Sequence, residues 1–96
     1  VGSEEGELHR GFHVQVFEDT LALEDGASAR TIEAYRRDVI RCAIYLREQG
    51  ITSAGDITPA VLREFVYHLK DLGLAGSSIR RNISALRTWF RVLLAE

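Results

Sequence analysis

Apolar residues return every three or four positions through four separate stretches of this chain, and nowhere do they alternate over the length of a strand. That period predicts amphipathic helices, each with one face to bury and one to solvate. The breaks between stretches are short, so neighbouring helices must pack closely on one another. With 96 residues there is room for one such bundle and not for two domains. The expected class is all-α, with four or five helices and no sheet.

The leading residues 1–12 are acidic and carry glycine, and are expected to form a disordered segment, with Val1-Gly2-Ser3 reading as a tag remnant. The domain proper is expected over residues 13–96. A first helix runs from about His13 to Glu24, with Val14, Phe17 and Leu21 on one face, and Asp25-Gly26 ends it. A second starts at the N-cap Ser28 and stops near Gln49-Gly50. Its stripe is Ile32, Tyr35, Val39, Cys42, Ala43 and Leu46, with Arg30, Ala34, Arg37 and Arg41 opposite. Glu33 and Arg37 are spaced for an i,i+4 pair.

Thr58-Pro59 is the clearest helix start in the chain, a capping hydroxyl followed by proline at the first helical position. Ile57 and Leu62 are placed to staple it, and Leu62, Phe65, Val66, Leu69 and Leu72 are expected inside, with Gly73 closing the helix. The fourth helix opens at Ser77 with Ile79, Ile83, Leu86, Phe90, Leu93 and Leu94 expected inside. Ser77, Arg81, Ser84, Thr88 and Arg91 lie opposite, flanked by Arg80 and Arg87. No stop signal precedes Glu96, which predicts continuation into a longer protein.

The formal net charge of -2 conceals an asymmetry. Through Gly26 there are seven acids against Arg10 alone, whereas from Ala27 onward eleven bases face seven acids. Ten of those eleven are arginine, whose planar fork matches phosphate and guanine edges. The single cysteine, Cys42, rules out a disulfide within the chain and fits a cytoplasmic setting. No apolar run approaches the roughly eighteen residues that a membrane span requires.

Residue patterns that carry catalysis or bind metals are not evident. His9, His13, His68 and Cys42 lack metal-ligand spacing, and no glycine-rich phosphate loop is present. Cys42 falls on an apolar stripe and reads as a small buried hydrophobe. Tyr35, Tyr45 and Tyr67 have no basic cluster built around them in sequence. Neither a catalytic site nor a cofactor is therefore expected in this chain. Two helices with basic, hydroxyl-bearing outer faces remain, the layout of helices that meet a DNA groove. A stand-alone helical transcription regulator fits the same layout. So does a helical protein-interaction module, with Trp89 and Val92, both off the predicted core stripe, as its contact patch.

Ser28-Ala29-Arg30-Thr31-Ile32-Glu33-Ala34-Tyr35-Arg36-Arg37-Asp38 resembles the Thr-x-x-x-Tyr-x-x-Asp helix of the tyrosine recombinases. Ser77 to Phe90 resembles their Ser-x-x-x-x-x-x-Ser-Ala-Leu-Arg-x-Phe helix, and Ile57 to Phe65 their third helix. The likeness covers roughly residues 13–96 and is strongest to the N-terminal core-binding domain of Xer-type recombinases and phage integrases. It implies a SAM-like, lambda-integrase-like bundle that forms one half of a C-shaped clamp on double-stranded DNA, with two helices at the major groove. It further implies a separate catalytic domain carrying the Arg, Lys, His-x-x-Arg, His or Trp, and Tyr set, and a parent that works as a tetramer on two DNA sites. Geometry and resemblance together make Arg30, Thr31, Arg37, Arg41, Ser77, Ser78, Arg81, Ser84 and Arg87 the expected DNA contacts. Arg63 and Lys70, on the third helix, are expected to face away.

Overall fold

The computed structural model describes residues 11–95, and within them it is helical with no strand. Helices α1 (Val14–Leu23), α2 (Ala29–Glu48), α3 (Pro59–Asp71) and α4 (Gly76–Ala95) follow in order, with a short 3-10 turn at Ala54–Asp56 before α3. That turn was not foreseen. It ends the connection in which Ser53 hydrogen-bonds Asp56 at 3.2 Å.

The helix ends obey the sequence. Ser28 accepts from the Thr31 backbone N–H, and Thr58 from that of Val61, each at 3.2 Å. Each hydroxyl thereby satisfies an N–H that has no intrahelical acceptor. Gly26, Gly50 and Gly73 all stand at positive φ after their helices. At Gly50 the reason is explicit: its N–H reaches Arg47 O, and Ile51 N–H folds back to Leu46 O, both at 2.9 Å. This closure needs a left-handed residue between helix and exit, where any Cβ is strained.

α2 and α4 are the two long helices and form the most extensive pairing, with α1 lying across both and α3 against both. The core joins Val14, Phe17 and Leu21 of α1 to Val39, Cys42, Ala43 and Leu46 of α2, Phe65 and Leu69 of α3, and Ala85, Leu86, Trp89 and Val92 of α4. Tyr45 leans on Phe65 and His68 at ring separations of 5.3 and 5.0 Å, which stitches α2 to α3.

Four expectations need correction. α4 buries Asn82, Ala85, Leu86, Trp89 and Val92, a face turned by about a quarter-turn from the predicted Ile79-Ile83-Leu86-Phe90 stripe. Helix periodicity cannot choose between two apolar faces when a helix has both, and α4 does. Trp89 and Val92 are consequently core residues, 0% and 4% exposed, and cannot form a surface contact patch. Leu72 and Leu94, expected inside, are 57% and 89% exposed: Leu72 is the C-cap just past α3, and Leu94 sits in the last turn of α4. The domain reaches back past residue 13: Phe12 is fully buried, and its carbonyl accepts the Trp89 Nε1–H at 2.7 Å. Of the disordered segment expected over residues 1–12, residues 1–10, with the tag remnant, lie outside the described residues.

Candidate nucleic-acid interface

Two long helices with basic outer faces make an interface only if those faces adjoin. Beside the core contacts, an ion pair between residues 43 positions apart links the two helices. Asp38 of α2 is buried, 1% exposed, and accepts from Arg81 of α4 twice: Nε donates to Oδ2 at 2.8 Å and Nη2 to Oδ1 at 2.9 Å. This is the fork-on-carboxylate geometry in which arginine is strongest. The paired carboxylate holds the Arg81 guanidinium even more firmly protonated than usual, despite the opposing effect of burial.

The 100° step per residue then locates everything else. On α2, Arg30, Arg37 and Arg41 lie within about 40° of one another, and Asp38 is about 60° further round toward α4. On α4, Ser77 and Ser84 lie within about 60° of Arg81, on the side away from the core. The Asp38–Arg81 pair thus links α2, about 60° round from its basic stripe, to Arg81 within the stripe of α4.

Of the nine residues expected at DNA, Arg30, Arg37, Arg41, Ser77, Arg81, Ser84 and Arg87 are exposed, while Thr31 and Ser78 are half-buried. Thr31 belongs to the cap of α2, where Ser28 donates to its hydroxyl at 3.1 Å. Ser78 gives its carbonyl to the Asn82 amide at 2.8 Å. Arg37 meets Glu33 only at 3.9 Å, with both side chains well exposed, so the pair holds neither in place. Arg87 stands apart, about 120° round α4 from Arg81. It lines a groove of about 440 Å³ between α3 and α4 with Pro59, Leu62, Arg63, Val66, Ile83, Leu86 and Phe90. Arg63, expected to face away, therefore shares a surface with Arg87. Lys70 sits elsewhere on α3, over the Tyr67 ring at 6.0 Å.

Sequence reasoning missed Asp38 and Asn82 as structural polar groups. Asn82 is fully buried, and its Oδ1 has no hydrogen-bond partner among the described residues. Asp38 could have been found: it falls between Tyr35 and Val39, on the edge of an apolar stripe, where a lone acid demands a partner. The acids near the first helix also do more than repel. Glu18 binds Arg36 at 2.8 Å, which ties α1 to α2, and Asp25 binds Arg91 at 3.0 Å, which ties the α1–α2 connection to α4. Arg91 is accordingly engaged and drops out of the polar stripe.

Among the described residues no group of three or more His, Cys, Asp or Glu side chains is placed to hold a metal ion. No helix is long and apolar enough to cross a membrane. Cys42 is fully buried, and burial pushes its thiol up to about 12.

A family model described as the phage integrase N-terminal SAM-like domain matches residues 14–96. The chain belongs to this family. Its relatives include the tyrosine recombinase XerD of Rhizobium meliloti, 36% identical over 84 residues, which are 88% of this chain and 27% of the relative. XerD of Chlorobaculum tepidum is 36% identical over 83 residues, 86% of this chain and 27% of the relative. Tyrosine recombinase XerC of Oceanobacillus iheyensis is 32% identical over 84 residues, 88% of this chain and 28% of the relative. The chain thus spans little more than a quarter of the curated relatives it matches. No solved structure matches it. The all-helical architecture is that of an Xer-like integrase SAM-like domain, and the three stretches that carry the resemblance fall on α2, α3 and α4.

Proposed function

We propose that this domain grips double-stranded DNA for a site-specific tyrosine recombinase of the cytoplasm, with α2 and α4 at the major groove. Strand cleavage and joining belong to a separate catalytic domain of the parent protein, which works as a tetramer on two DNA sites. One observation carries the reading: the Asp38–Arg81 pair joins α2, with its exposed arginines, directly to α4, with its exposed hydroxyls and arginine. Hydroxyls and arginines there suit phosphate oxygens, and an exposed arginine suits a guanine edge. Membership of the integrase family and the recombinase names of the relatives support the same reading. Phe12 belongs to the domain in this reading, because it is core.

Fluorescence anisotropy of a labelled duplex titrated with the chain tests it. About four phosphate contacts would give a slope of log K against log salt near -3.6, at roughly 0.9 per contact. Arg41→Ala should weaken binding and flatten that slope by about one, while Lys70→Ala should do neither. Equal losses from the two variants would place binding on a diffuse basic surface instead.

A further inference from the structure

The arginines of the candidate interface are not equivalent. Arg30, Arg37 and Arg41 are exposed, and the Arg37 ion pair with Glu33 is loose, at 3.9 Å between two exposed side chains. Such side chains must be immobilised by whatever binds them, and arginine has much rotamer freedom to lose. Arg81 is already immobilised. Asp38 holds it at two points of a rigid plane, yet its side chain remains 43% exposed.

The chemistry of the guanidinium fixes what is left over. Nε and Nη2 each give one N–H to Asp38, so the Nη1 edge of the same plane has no partner among the described residues. A planar group held along one edge presents its other edge in one direction only. Asp38, on the bonded edge, is buried, whereas 43% of the Arg81 side chain is exposed, so the free edge is the one available to a ligand.

We infer that Asp38 is a positioning residue: it never touches DNA, but it fixes Arg81 as a pre-oriented phosphate clamp at the seam of the two helices. The inference rests on the DNA-binding reading and adds a division of labour to it. The α2 arginines supply adaptable charge, whereas Arg81 supplies a fixed direction. Prepaid ordering raises affinity without adding a contact.

Charge and orientation make opposite predictions, which makes the inference testable. Asp38→Asn removes a negative charge from the interface, so simple Coulomb attraction predicts tighter binding. Loss of orientation predicts weaker binding, by at least about fivefold, the lower end of what losing an arginine contact costs. Arg81→Lys keeps the charge but not the two-edged plane, and should lose as much affinity as Arg81→Ala. In the unaltered chain, the Arg81 Nε–H proton signal should stay protected from exchange and unshifted when duplex is added, since its bond to Asp38 survives binding. That measurement needs no variant, so it decides the question even where Asp38→Asn fails to fold. Tighter or unchanged binding by Asp38→Asn, rescue by Arg81→Lys, or release of the Nε–H on binding each overturn the inference and leave the DNA reading intact. Failure of the unaltered chain to bind any duplex overturns both.

Discussion

Replacing Trp89 with phenylalanine should unfold this domain far more easily than one smaller ring implies. Trp89 is the chain's one tryptophan and is fully buried. Its Nε1–H donates to the Phe12 carbonyl at 2.7 Å, across 77 residues, and the two rings meet edge-on at 5.9 Å. Phenylalanine cannot donate, so a buried carbonyl loses its partner, at about 1–3 kcal/mol. Some void remains as well; complete truncation of such a ring costs roughly 3–5 kcal/mol, and the partial loss here a fraction of that. The sum is about 2–4 kcal/mol, a large share of the roughly 5–15 kcal/mol a domain has in total. At about 4–8 °C per kcal/mol for a chain this short, Tm should fall by more than about 8 °C. Far-UV circular dichroism must follow the melt, because the variant has no indole fluorescence. Phe12→Ala is the companion: it keeps the carbonyl and its bond, removes a buried ring, and should cost about 3–5 kcal/mol. A Tm within 2–3 °C (roughly half a kcal/mol) for Trp89→Phe would show that the Trp89–Phe12 bond does not anchor the leading turn.

Further outcomes follow from the same coordinates. Ser28→Ala and Thr58→Ala should each cost about 1 kcal/mol in urea unfolding, the usual worth of an N-cap hydroxyl; no loss at either would refute the capping bonds. Gly11→Ala should destabilise although alanine favours helix, since the added Cβ would sit 2.6 Å from the Thr52 carbonyl oxygen; a neutral or stabilising result in a thermal melt would refute that close approach. Cys42 should resist a thiol reagent at pH 8 in the folded chain and react at once in denaturant. The folded thiol ionises only near 12 against an ordinary 9.0, so the unfolded chain loses its proton first and stability should fall as pH rises between those values. A unfolding free energy flat over that window would contradict the burial. The isolated chain should form no covalent adduct with a nicked or intact duplex, and an adduct through Tyr35, Tyr45 or Tyr67 on a denaturing gel would overturn the assignment of catalysis to another domain.

Local signals were legible wherever a residue acts on its own neighbours. Ser28, Thr58, Gly50 and Gly73 mark helix ends through bonds to residues within five positions, and Pro59 marks one through its missing N–H; these were read from sequence alone. Periodicity found the buried face of α1 and most of that of α2, where one stripe is apolar and its opposite is charged. It failed on α4 for a physical reason. Ile83, Leu86 and Phe90 form one apolar edge, and Ala85, Trp89 and Val92 another. The first is only partly covered, by α3 across the groove, whereas the second is buried in the main core. Which of two apolar edges lies deeper depends on where α1 and α2 sit, and no spacing within α4 encodes that.

The candidate interface divides along the same line. Exposure of Arg30, Arg37, Arg41, Ser77 and Ser84 was readable, because it needs only the absence of an apolar partner. The state of Arg81 was not, because its partner lies 43 positions away. This changes how Arg81→Ala must be read. Truncation strands Asp38 in the core without its counter-charge. Fully buried pairs lose about 3–5 kcal/mol in that situation. Water can reach this one past an arginine that is 43% exposed, so about 2–3 kcal/mol is the better expectation. A drop in DNA affinity from Arg81→Ala would therefore mix a lost contact with a loosened α2–α4 seam. Replacing both partners by apolar residues, Asp38→Leu with Arg81→Met, separates the two. Such a pair removes the stranded charge and is often neutral or stabilising. If the double variant melts like the unaltered chain yet binds DNA as weakly as Arg81→Ala, the arginine is a contact. If it recovers binding, the pair served only to hold the two helices together.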